Sequence, residues 1–201
     1  MKPIVLASSS PRRRRLLREL GVGFSVRVPD VDERPLLGEL PGPHVRRLAL
    51  AKARAVARGL APKCGVQWVV GADTVVVLDG MILGKPRDAR DAQRMLARLS
   101  GRTHEVLTGV ALVPAAGGRA RTAVVRSRVQ MEAFDEATIR RYVAGGEPLD
   151  KAGAYAVQGR GRHLVAQVCG SLTNVIGLPL ERLGRLFIAV GVRASPPGAV
   201  R

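Results

Sequence analysis

The stretch IVLASSSPRRRRLLRELG, residues 4–21, predicts a strand that leads through a short loop into a helix. Residues 4–6 form a short apolar run that is typical of a buried strand. Ser10 is suited to cap the helix, Pro11 to occupy its first turn and Gly21 to end it. A strand joined in this way to a capped helix is a typical first unit of an α/β fold.

The rest of the chain continues this alternation of strand and helix patterns and adds hairpins to it. The strongest hairpin signal is Asp79-Gly80, which follows the apolar run 74–78. This order predicts a mixed α/β sheet flanked by helices, in a single domain over residues 1–192 that can accommodate two lobes around a cleft. The composition of residues 193–201 predicts that they form a disordered tail. Further strands are predicted at about 24–28, 68–71, 81–83, 105–113, 119–131 and 163–168, and further helices at about 44–58, 89–99, 135–143 and 180–190.

The charge balance of the 201 residues is strongly basic, with 33 Lys and Arg against 16 Asp and Glu and a net charge of +17. Such a field attracts anions, whether nucleotides, nucleic acids or membrane surfaces. Only five of the 33 basic residues are lysines, a ratio that genome base composition also explains. Aromatic residues make up only 3% of the chain, which disfavours RNA-binding folds that stack bases on aromatic side chains.

Cysteine usage and the N-terminus bear on the cellular compartment. Cys64 and Cys169 lie 105 positions apart without a CxxC motif or a Cys/His cluster, so neither a zinc site nor a disulfide is predicted. The N-terminal apolar run is too short for a signal peptide, and no run approaches the ~18 residues of a membrane span. We therefore expect a soluble cytoplasmic protein.

The loop before the first helix is a candidate phosphate site. Ser8 and Ser10 offer hydroxyl groups, the helix start offers backbone N–H groups, and Arg12 and Arg13 offer guanidinium donors. The same residues also make an ordinary N-cap with a solvated first turn. The pattern alone leaves both interpretations open.

Asp73 is a single carboxylate within the apolar run 69–77. Burying it is costly unless it is paired or binds a metal, which makes it a candidate functional residue. The alternative is a bulge or turn at Gly71 that lets Asp73 reach solvent. Glu33 is a candidate second carboxylate, because Mg²⁺ held between phosphate oxygens and one or two carboxylates is usual in nucleotide hydrolysis.

Lysines stand out in a chain whose usual base is arginine. Lys52 is the single lysine of its predicted helix, in which the spacing places Leu48, Ala51 and Ala55 on the inward face. Lys85 lies in a predicted turn, although the P-loop pattern GxxxxGK[ST] is absent. A lysine at such a position favours a point-charge role toward phosphate, whereas chance is the simpler explanation for either one alone.

The segment 150–159 combines small residues with Gln158. Small residues permit close approach of the backbone to a flat ligand, and the Gln158 amide is able to bond to a base edge. A turn beside a strand explains the same composition equally well.

Seven blocks, in order between residues 4 and 188, together resemble the Maf family of nucleoside triphosphate pyrophosphatases. No single block is sufficient, and their common order makes the resemblance specific. Ala156 and Leu172 stand where Gly and Tyr are expected. The blocks are LASSSPRR (6–13), KA (52–53), GADTVV (71–76), LGKPRD (83–88), LSGRTHEV (99–106), DKAGAY (150–155) and GSLTNVIGLPL (170–180).

The resemblance implies a strongly twisted mixed sheet with two lobes around a nucleotide cleft, similar to inosine triphosphate pyrophosphatases, and a homodimer. It implies hydrolysis of a nucleoside triphosphate to the monophosphate and pyrophosphate with a divalent metal, Mg²⁺ or Mn²⁺. The segment 150–158 resembles the branch of the family that acts on dTTP and UTP, with a house-cleaning role in nucleotide metabolism.

The resemblance also implies roles for individual residues. Asp73 corresponds to the proton acceptor and Glu33 to a polar residue of the cleft, and together they are the two carboxylates that we expect to bind the metal. Arg12, Thr74 and Gln158 correspond to residues that control nucleobase specificity. The expected phosphate and substrate contacts, to which the loop analysis adds Ser10, are Ser8, Arg13, Lys52 and Lys85.

Two alternatives stay open at this point. One is a pyrophosphatase for other or modified nucleotides, such as 7-methyl-GTP or ITP. The other is a basic nucleic-acid-binding or cell-division regulatory protein, for which a buried Asp73 is hard to explain.

Overall fold

A computed structural model of the protein describes residues 4–60 and 65–194 and has a mixed α/β architecture. Its strands are β1 (Ile4–Ala7), β2 (Phe24–Arg27), β3 (Trp68–Leu78), β4 (Met81–Leu83), β5 (Thr103–Pro114), β6 (Arg121–Met131) and β7 (Val165–Cys169). Its α-helices are α1 (Pro11–Glu19), α2 (Pro41–Arg58), α3 (Ala89–Leu99), α4 (Glu136–Ala144), α5 (Leu172–Ile176) and α6 (Leu180–Ile188). Short 3-10 segments between α4 and β7 are Glu147–Asp150, Ala152–Ala154 and Gly159–Leu164.

The strands form one mixed sheet. Its order is β2-β1-β3-β5-β6-β7, and β4 pairs with β3 outside this path. β1 runs parallel to β2 and β3, whereas β4 is antiparallel to β3 and β7 is antiparallel to β6. The parallel connection from β1 to β2 passes through α1, as residues 4–21 predict. The predicted mixed α/β fold is therefore confirmed.

The described chain divides into two compact units. Three strands, β3, β5 and β6, contribute residues to both units. The nucleotide cleft and the assignment of residues 1–192 to one domain stay predictions, and residues 195–201 of the predicted tail lie outside the described residues. The first unit contains residues 4–60, 65–73, 108–125 and 177–194, and the second contains 74–107 and 126–176.

In the first unit α2 lies directly against the backbone of the sheet. A Cβ atom at Gly71 of β3 would overlap the backbone of α2 at Ala49 and Ala53, and one at Gly109 of β5 would overlap the backbone at Val45. The absence of a side chain at both positions lets the helix approach the sheet, next to the strand that carries Asp73. The cluster around this contact is aliphatic and consists of Val5, Ala7, Ala49, Ala53, Val56, Val69, Ala111 and Val113.

The buried face of α2 differs from the predicted one. Leu48 is buried as expected, but Ala51 and Ala55 are only half-buried, so their placement inward is wrong by about one position. The helix also begins at Pro41 and not near residue 44, because the first turn tolerates proline. Lys52 therefore lies on the apolar face, whose buried members are His44, Val45, Leu48, Ala49, Lys52, Ala53 and Val56.

Most other predicted elements are confirmed to within a few residues, and the exceptions are short. The pattern misses α5, and the 3-10 segment Gly159–Leu164 occupies the start of the strand predicted at 163–168. Neither segment is long enough to show a clear helical period. Conversely, the runs 68–71 and 74–78 form the single strand β3, with Asp73 inside it.

The turn predicted at Asp79-Gly80 is confirmed, and two helices of the second unit begin at aspartate caps. Asp79 and Gly80 have φ values of 53° and 75° and join the antiparallel strands β3 and β4. Asp88 and Asp135 cap α3 and α4, because each side chain accepts the N–H group three residues ahead.

Two further expectations concern the membrane and the cysteines. Within residues 4–60 and 65–194, no helix has the length and apolar character needed to cross a membrane. Cys169 is an exposed free thiol, whereas Cys64 lies outside the described residues.

Candidate active site

The centre of the candidate site is an ion cluster formed by Lys52, Asp73 and Glu33. The Lys52 Nζ atom lies 2.6 Å from Asp73 Oδ1 and 2.8 Å from Glu33 Oε1. The side chains of Lys52 and Asp73 are 6% and 8% exposed, whereas that of Glu33 is 55% exposed. Three residues predicted from separate parts of the sequence are thus in direct contact.

Asp73 is held inside a continuous strand and is paired from the neighbouring helix. Because an isolated buried carboxylate is costly, the contact with Lys52 explains how the apolar strand accommodates it. The alternative, a bulge or turn at Gly71 that exposes Asp73 to solvent, is wrong. Gly71 instead admits α2 and so brings Lys52 to Asp73.

Arg13 and Arg47 add positive charge around this cluster. Burial lowers the pKa of Arg13, and the carboxylates of Asp73 and Glu33 oppose that shift. The pKa of Arg47 is raised mainly by hydrogen bonds to Glu39 and to a lesser degree by the charge of Asp73. Cationic groups gathered in this way around a carboxylate pair are suited to a polyphosphate that arrives with a metal.

The loop between β1 and α1 is organised by its serines. The Ser8 Oγ atom accepts a hydrogen bond from the Ser10 N–H group at 3.1 Å. Ser10 caps α1, because its Oγ atom accepts the Arg13 N–H group at 3.4 Å. The Arg13 side chain contacts a distant part of the same unit, because its Nε atom donates to the Gly177 carbonyl oxygen at 2.8 Å. The N-cap interpretation of Ser10 is confirmed, and its contact with phosphate stays a prediction.

The loop that carries Glu33 is fixed to α2 by the carboxylate of Glu39. Glu39 accepts hydrogen bonds from the Nε and Nη2 atoms of Arg47, both at 2.6 Å, and lies 2.9 Å from His44 Nδ1. These bonds to Arg47 hold the pKa of Glu39 well below its usual range. Arg47 also donates to the carbonyl oxygen of Arg34, the residue after Glu33, at 3.1 Å. We call Glu39, His44 and Arg47 the loop clamp, which is not among the predicted site residues.

Thr74, Lys85 and Gln158 belong to the second unit. Thr74 directly follows Asp73 in β3 and is half-buried. Lys85 is exposed between β4 and α3, and Gln158 is half-buried at the start of the last 3-10 segment. The roles of these three residues, and that of Arg12 in α1, stay predictions.

The backbone that leads to Gln158 is tightly packed within the second unit. Gly153 has a φ of 70° and lies so close to β3 that a Cβ atom there would be 2.9 Å from Val76 Cγ2. Its N–H group donates to the Gly84 carbonyl oxygen at 3.0 Å. The DKAGAY block is therefore joined to the residue that precedes Lys85.

A buried pair of rings anchors the same segment. The Tyr155 hydroxyl lies 2.8 Å from His104 Nε2, and the two rings meet edge to face with centroids 5.3 Å apart. Burial lowers the pKa of His104 to about 4 and raises that of Tyr155. Both side chains are therefore neutral at pH 7 and act as a hydrogen-bonded support three residues before Gln158.

His104 is expected to make the free energy of unfolding depend on pH below 6.5. The unfolded imidazole binds a proton near pH 6.5, whereas the folded one does so only near pH 4, so the unfolded state binds more protons in this window. The contribution of the neutral His104 side chain to the free energy of unfolding is fully present above pH 6.5. It falls by about 1.4 kcal/mol per pH unit as the pH drops toward 4. Urea unfolding of the wild type and His104→Gln across this range measures it. Equal pH slopes for the two proteins would contradict the prediction.

Comparison with known proteins identifies the family. The sequence model described as "Maf: Maf-like protein" matches residues 3–190. The chain belongs to the Maf family. A dTTP/UTP pyrophosphatase of Myxococcus xanthus is 54% identical over 189 residues, 94% of this chain and 93% of that protein. One of Symbiobacterium thermophilum is 47% identical over 199 residues, 99% of this chain and 100% of that protein.

A solved structure is also similar to this Maf protein. It is a nucleoside-triphosphatase, dITP/XTP pyrophosphatase, from Mycobacterium abscessus, with a TM-score of 0.45 and 18% identity over 93% of each chain. Within the present structure the Maf motifs meet in two groups. The GADT aspartate contacts the motif lysine Lys52 in the first unit, whereas DKAGAY contacts the LGKPRD and THEV blocks in the second.

The carboxylates of this Maf protein form a donor set that fits Mg²⁺ or Mn²⁺. Asp73 and Glu33 converge on one ammonium group, and Mg²⁺ is usually held by one or two carboxylates together with substrate phosphates. Within the described ranges, no group of three or more His, Cys, Asp or Glu side chains is arranged as a metal cage.

Proposed function

We propose that this Maf protein hydrolyses dTTP and UTP between the α and β phosphates, releasing the nucleoside monophosphate and pyrophosphate. The observation that carries the reaction type is the buried Asp73 carboxylate, paired with Lys52 and adjoined by the half-exposed Glu33. The name dTTP/UTP pyrophosphatase, borne by relatives 54% and 47% identical over nearly the whole chain, supports the substrates. The proposed cellular role is house-cleaning in nucleotide metabolism.

In this proposal Asp73 orients the attacking water and accepts its proton. A carboxylate has two acceptor oxygens, so the contact of Oδ1 with Lys52 is compatible with this role. Lys52, Arg13 and Lys85 supply positive charge that offsets the charge growing on the leaving pyrophosphate. Ser8 and Ser10 place hydroxyl groups at the start of α1, next to Arg13.

Glu33 and Asp73 are the proposed ligands of a divalent metal, Mg²⁺ or Mn²⁺. Such a metal, when bound, neutralises phosphate charge. Glu33 is exposed enough to meet an incoming nucleotide, and the loop clamp keeps its loop beside α2. Chelation by EDTA is therefore expected to abolish turnover, and added Mg²⁺ or Mn²⁺ to restore it.

A nucleotide panel tests the proposed reaction directly. Pyrophosphate release is measured from dTTP, UTP, 7-methyl-GTP and ITP, with Mg²⁺ and with Mn²⁺. We expect dTTP and UTP to have the highest kcat/KM. A preference for 7-methyl-GTP or ITP would move the protein to another substrate class.

A nucleic-acid-binding or cell-division regulatory role predicts different behaviour. A binder of that kind shows affinity that falls steeply with salt, because each phosphate contact releases counterions. It also shows no triphosphate turnover. Steep salt dependence together with an inactive panel would replace the enzymatic proposal.

The proposal also includes a homodimer and a cytoplasmic location. Size-exclusion chromatography with light scattering checks the first point, since the chain has a mass of 21.4 kDa. A mass equal to that of one chain at micromolar concentration would contradict the dimer. Cell fractionation checks the second point.

Gln158→Ala is expected to change the ranking of nucleobases more than the chemistry. Loss of an amide that bonds to a base edge removes discrimination of about tenfold, or about 1.4 kcal/mol, between dTTP and the other nucleotides. The measurement is kcat/KM for the whole panel, repeated for Thr74→Ala and Arg12→Ala. Gln167→Ala, at an exposed position of β7, is the matched control. An unchanged ranking in all three variants would refute the specificity roles.

A further inference from the structure

Lys52 occupies the place in the cluster where a cation is needed. Its ammonium group lies within 2.8 Å of an oxygen atom of both Glu33 and Asp73, the two carboxylates proposed to hold the metal. We propose that Lys52 is an exchangeable cation: it pairs with the two carboxylates in the absence of metal, and a divalent ion displaces it. This inference rests on the proposed function and adds a role for Lys52 before the nucleotide is hydrolysed.

Charge counting favours exchange over simultaneous occupancy. Two carboxylates and one ammonium carry a net charge of −1, and a divalent ion added to them without any displacement gives +1. Arg13 lies in the field of the same carboxylates and adds a further positive charge to the surroundings. Repulsion between an ammonium and a divalent ion a few ångströms apart therefore favours the departure of the ammonium.

The side-chain chemistry of Lys52 suits a group that moves. A lysine carries one compact charge at the end of four flexible methylene groups, so Nζ is able to shift while the Cα atom stays in α2. An arginine fork would bind a carboxylate in a bidentate and more rigid manner. The chain has only five lysines among 33 basic residues and places one of them here.

The two carboxylates differ in a way that allows exchange. Asp73 is fixed in β3 and is almost fully buried, whereas the side chain of Glu33 is 55% exposed. A metal is thus able to approach from the side of Glu33 while Asp73 stays in place. Once displaced, the Lys52 ammonium no longer pairs with these carboxylates and is available to the phosphates that accompany the metal.

Removal of the ammonium is therefore expected to strengthen metal binding in the absence of nucleotide. We would measure Mn²⁺ binding by electron paramagnetic resonance at pH 8 for the wild type, Lys52→Met and Arg54→Met. Lys52→Met is expected to bind Mn²⁺ at least tenfold more tightly than the wild type. Arg54→Met removes the same charge from the exposed side of α2 and is expected to stay within twofold.

Equal or weaker Mn²⁺ binding by Lys52→Met, or no binding by either protein, would overturn the exchange. An equal gain in Arg54→Met would also overturn it, because general charge would then explain the effect. The measurement contains no nucleotide, so its outcome is independent of whether dTTP and UTP are hydrolysed.

A second measurement observes Lys52 in the wild type and uses the Lys52→Met variant only to assign its signal. With ¹⁵N-lysine labelling, a shielded ammonium held by two carboxylates is expected to give a protected Nζ signal, assigned by its loss in Lys52→Met. Saturation with Mg²⁺ and the non-hydrolysable α,β-imido analogue of dTTP is expected to shift or remove this signal. An unchanged signal at saturation would show that Lys52 keeps both carboxylates and would refute the proposal.

Discussion

Asp73→Asn is expected to lower pyrophosphate release from dTTP and UTP by a factor of about 10³ or more, with the fold intact. The amide has nearly the same shape as the carboxylate but does not accept the proton of the attacking water. A neutral amide is also less costly to bury than a carboxylate, and Lys52 keeps its contact with Glu33. The loss is therefore expected in kcat and not in stability.

Initial rates at saturating nucleotide, together with the unfolding midpoint in urea, test this prediction. The matched control is Asp79→Asn, at an exposed position of the β3–β4 turn where φ is 53° and asparagine is well tolerated. The control is expected to retain wild-type turnover. Full activity in Asp73→Asn would remove Asp73 from the reaction, and loss of the fold would leave its role to be tested through the pH profile of Asp73→Glu.

The central residue of the site could be predicted because its signal is local. A carboxylate in an apolar strand conflicts with its surroundings wherever the strand packs, and Asp73 is indeed buried and paired. Lys52 has a similar local signal, which the assignment of Ala51 and Ala55 to the inward face overlooks. It lies four residues after Leu48 and four before Val56, on the apolar stripe of α2, where an unpaired lysine is costly.

The loop clamp could not be predicted in the same way. Glu39 lies in a loop without periodicity, and its bonds to His44 and Arg47 depend on how that loop turns back onto α2. Both partners look like ordinary polar residues of a first helical turn. Contacts that depend on tertiary placement leave no pattern in a single sequence, whereas the caps at Asp88 and Asp135 do.

Much of the fold could also be predicted, because the signals that bound its elements are local. Turn and cap chemistry at Asp79-Gly80 and Ser10 acts within a few residues, so the elements it bounds were found in the right places. The inward face of α2 was wrong because alanine is equally compatible with a core and with a surface. The buried face of α2 is determined by Gly71 and Gly109, the two glycines against which the helix packs.

Gly71→Ala is therefore expected to destabilise the protein by about 3 kcal/mol, the upper end of overpacking effects. The new methyl group would overlap Ala49 of α2 and would lie 2.9 Å from the Ala53 backbone nitrogen. Backbone atoms in the middle of a helix cannot relieve this overlap by a change of side-chain rotamer, so the whole helix must move away from β3. Because α2 carries Lys52, this movement also separates Lys52 from Asp73 and is expected to reduce turnover.

A glycine-to-alanine substitution at Gly184 is expected to stabilise the protein instead. Gly184 lies inside α6, has no positive φ, and would place its methyl group 3.9 Å from the nearest atom, Leu20 Cδ2. Alanine there gains about 0.5–1 kcal/mol through helix propensity and a less flexible unfolded chain. Urea unfolding of both variants measures the contrast. A stable, fully active Gly71→Ala protein would show that α2 does not need this close approach to hold Lys52 against Asp73.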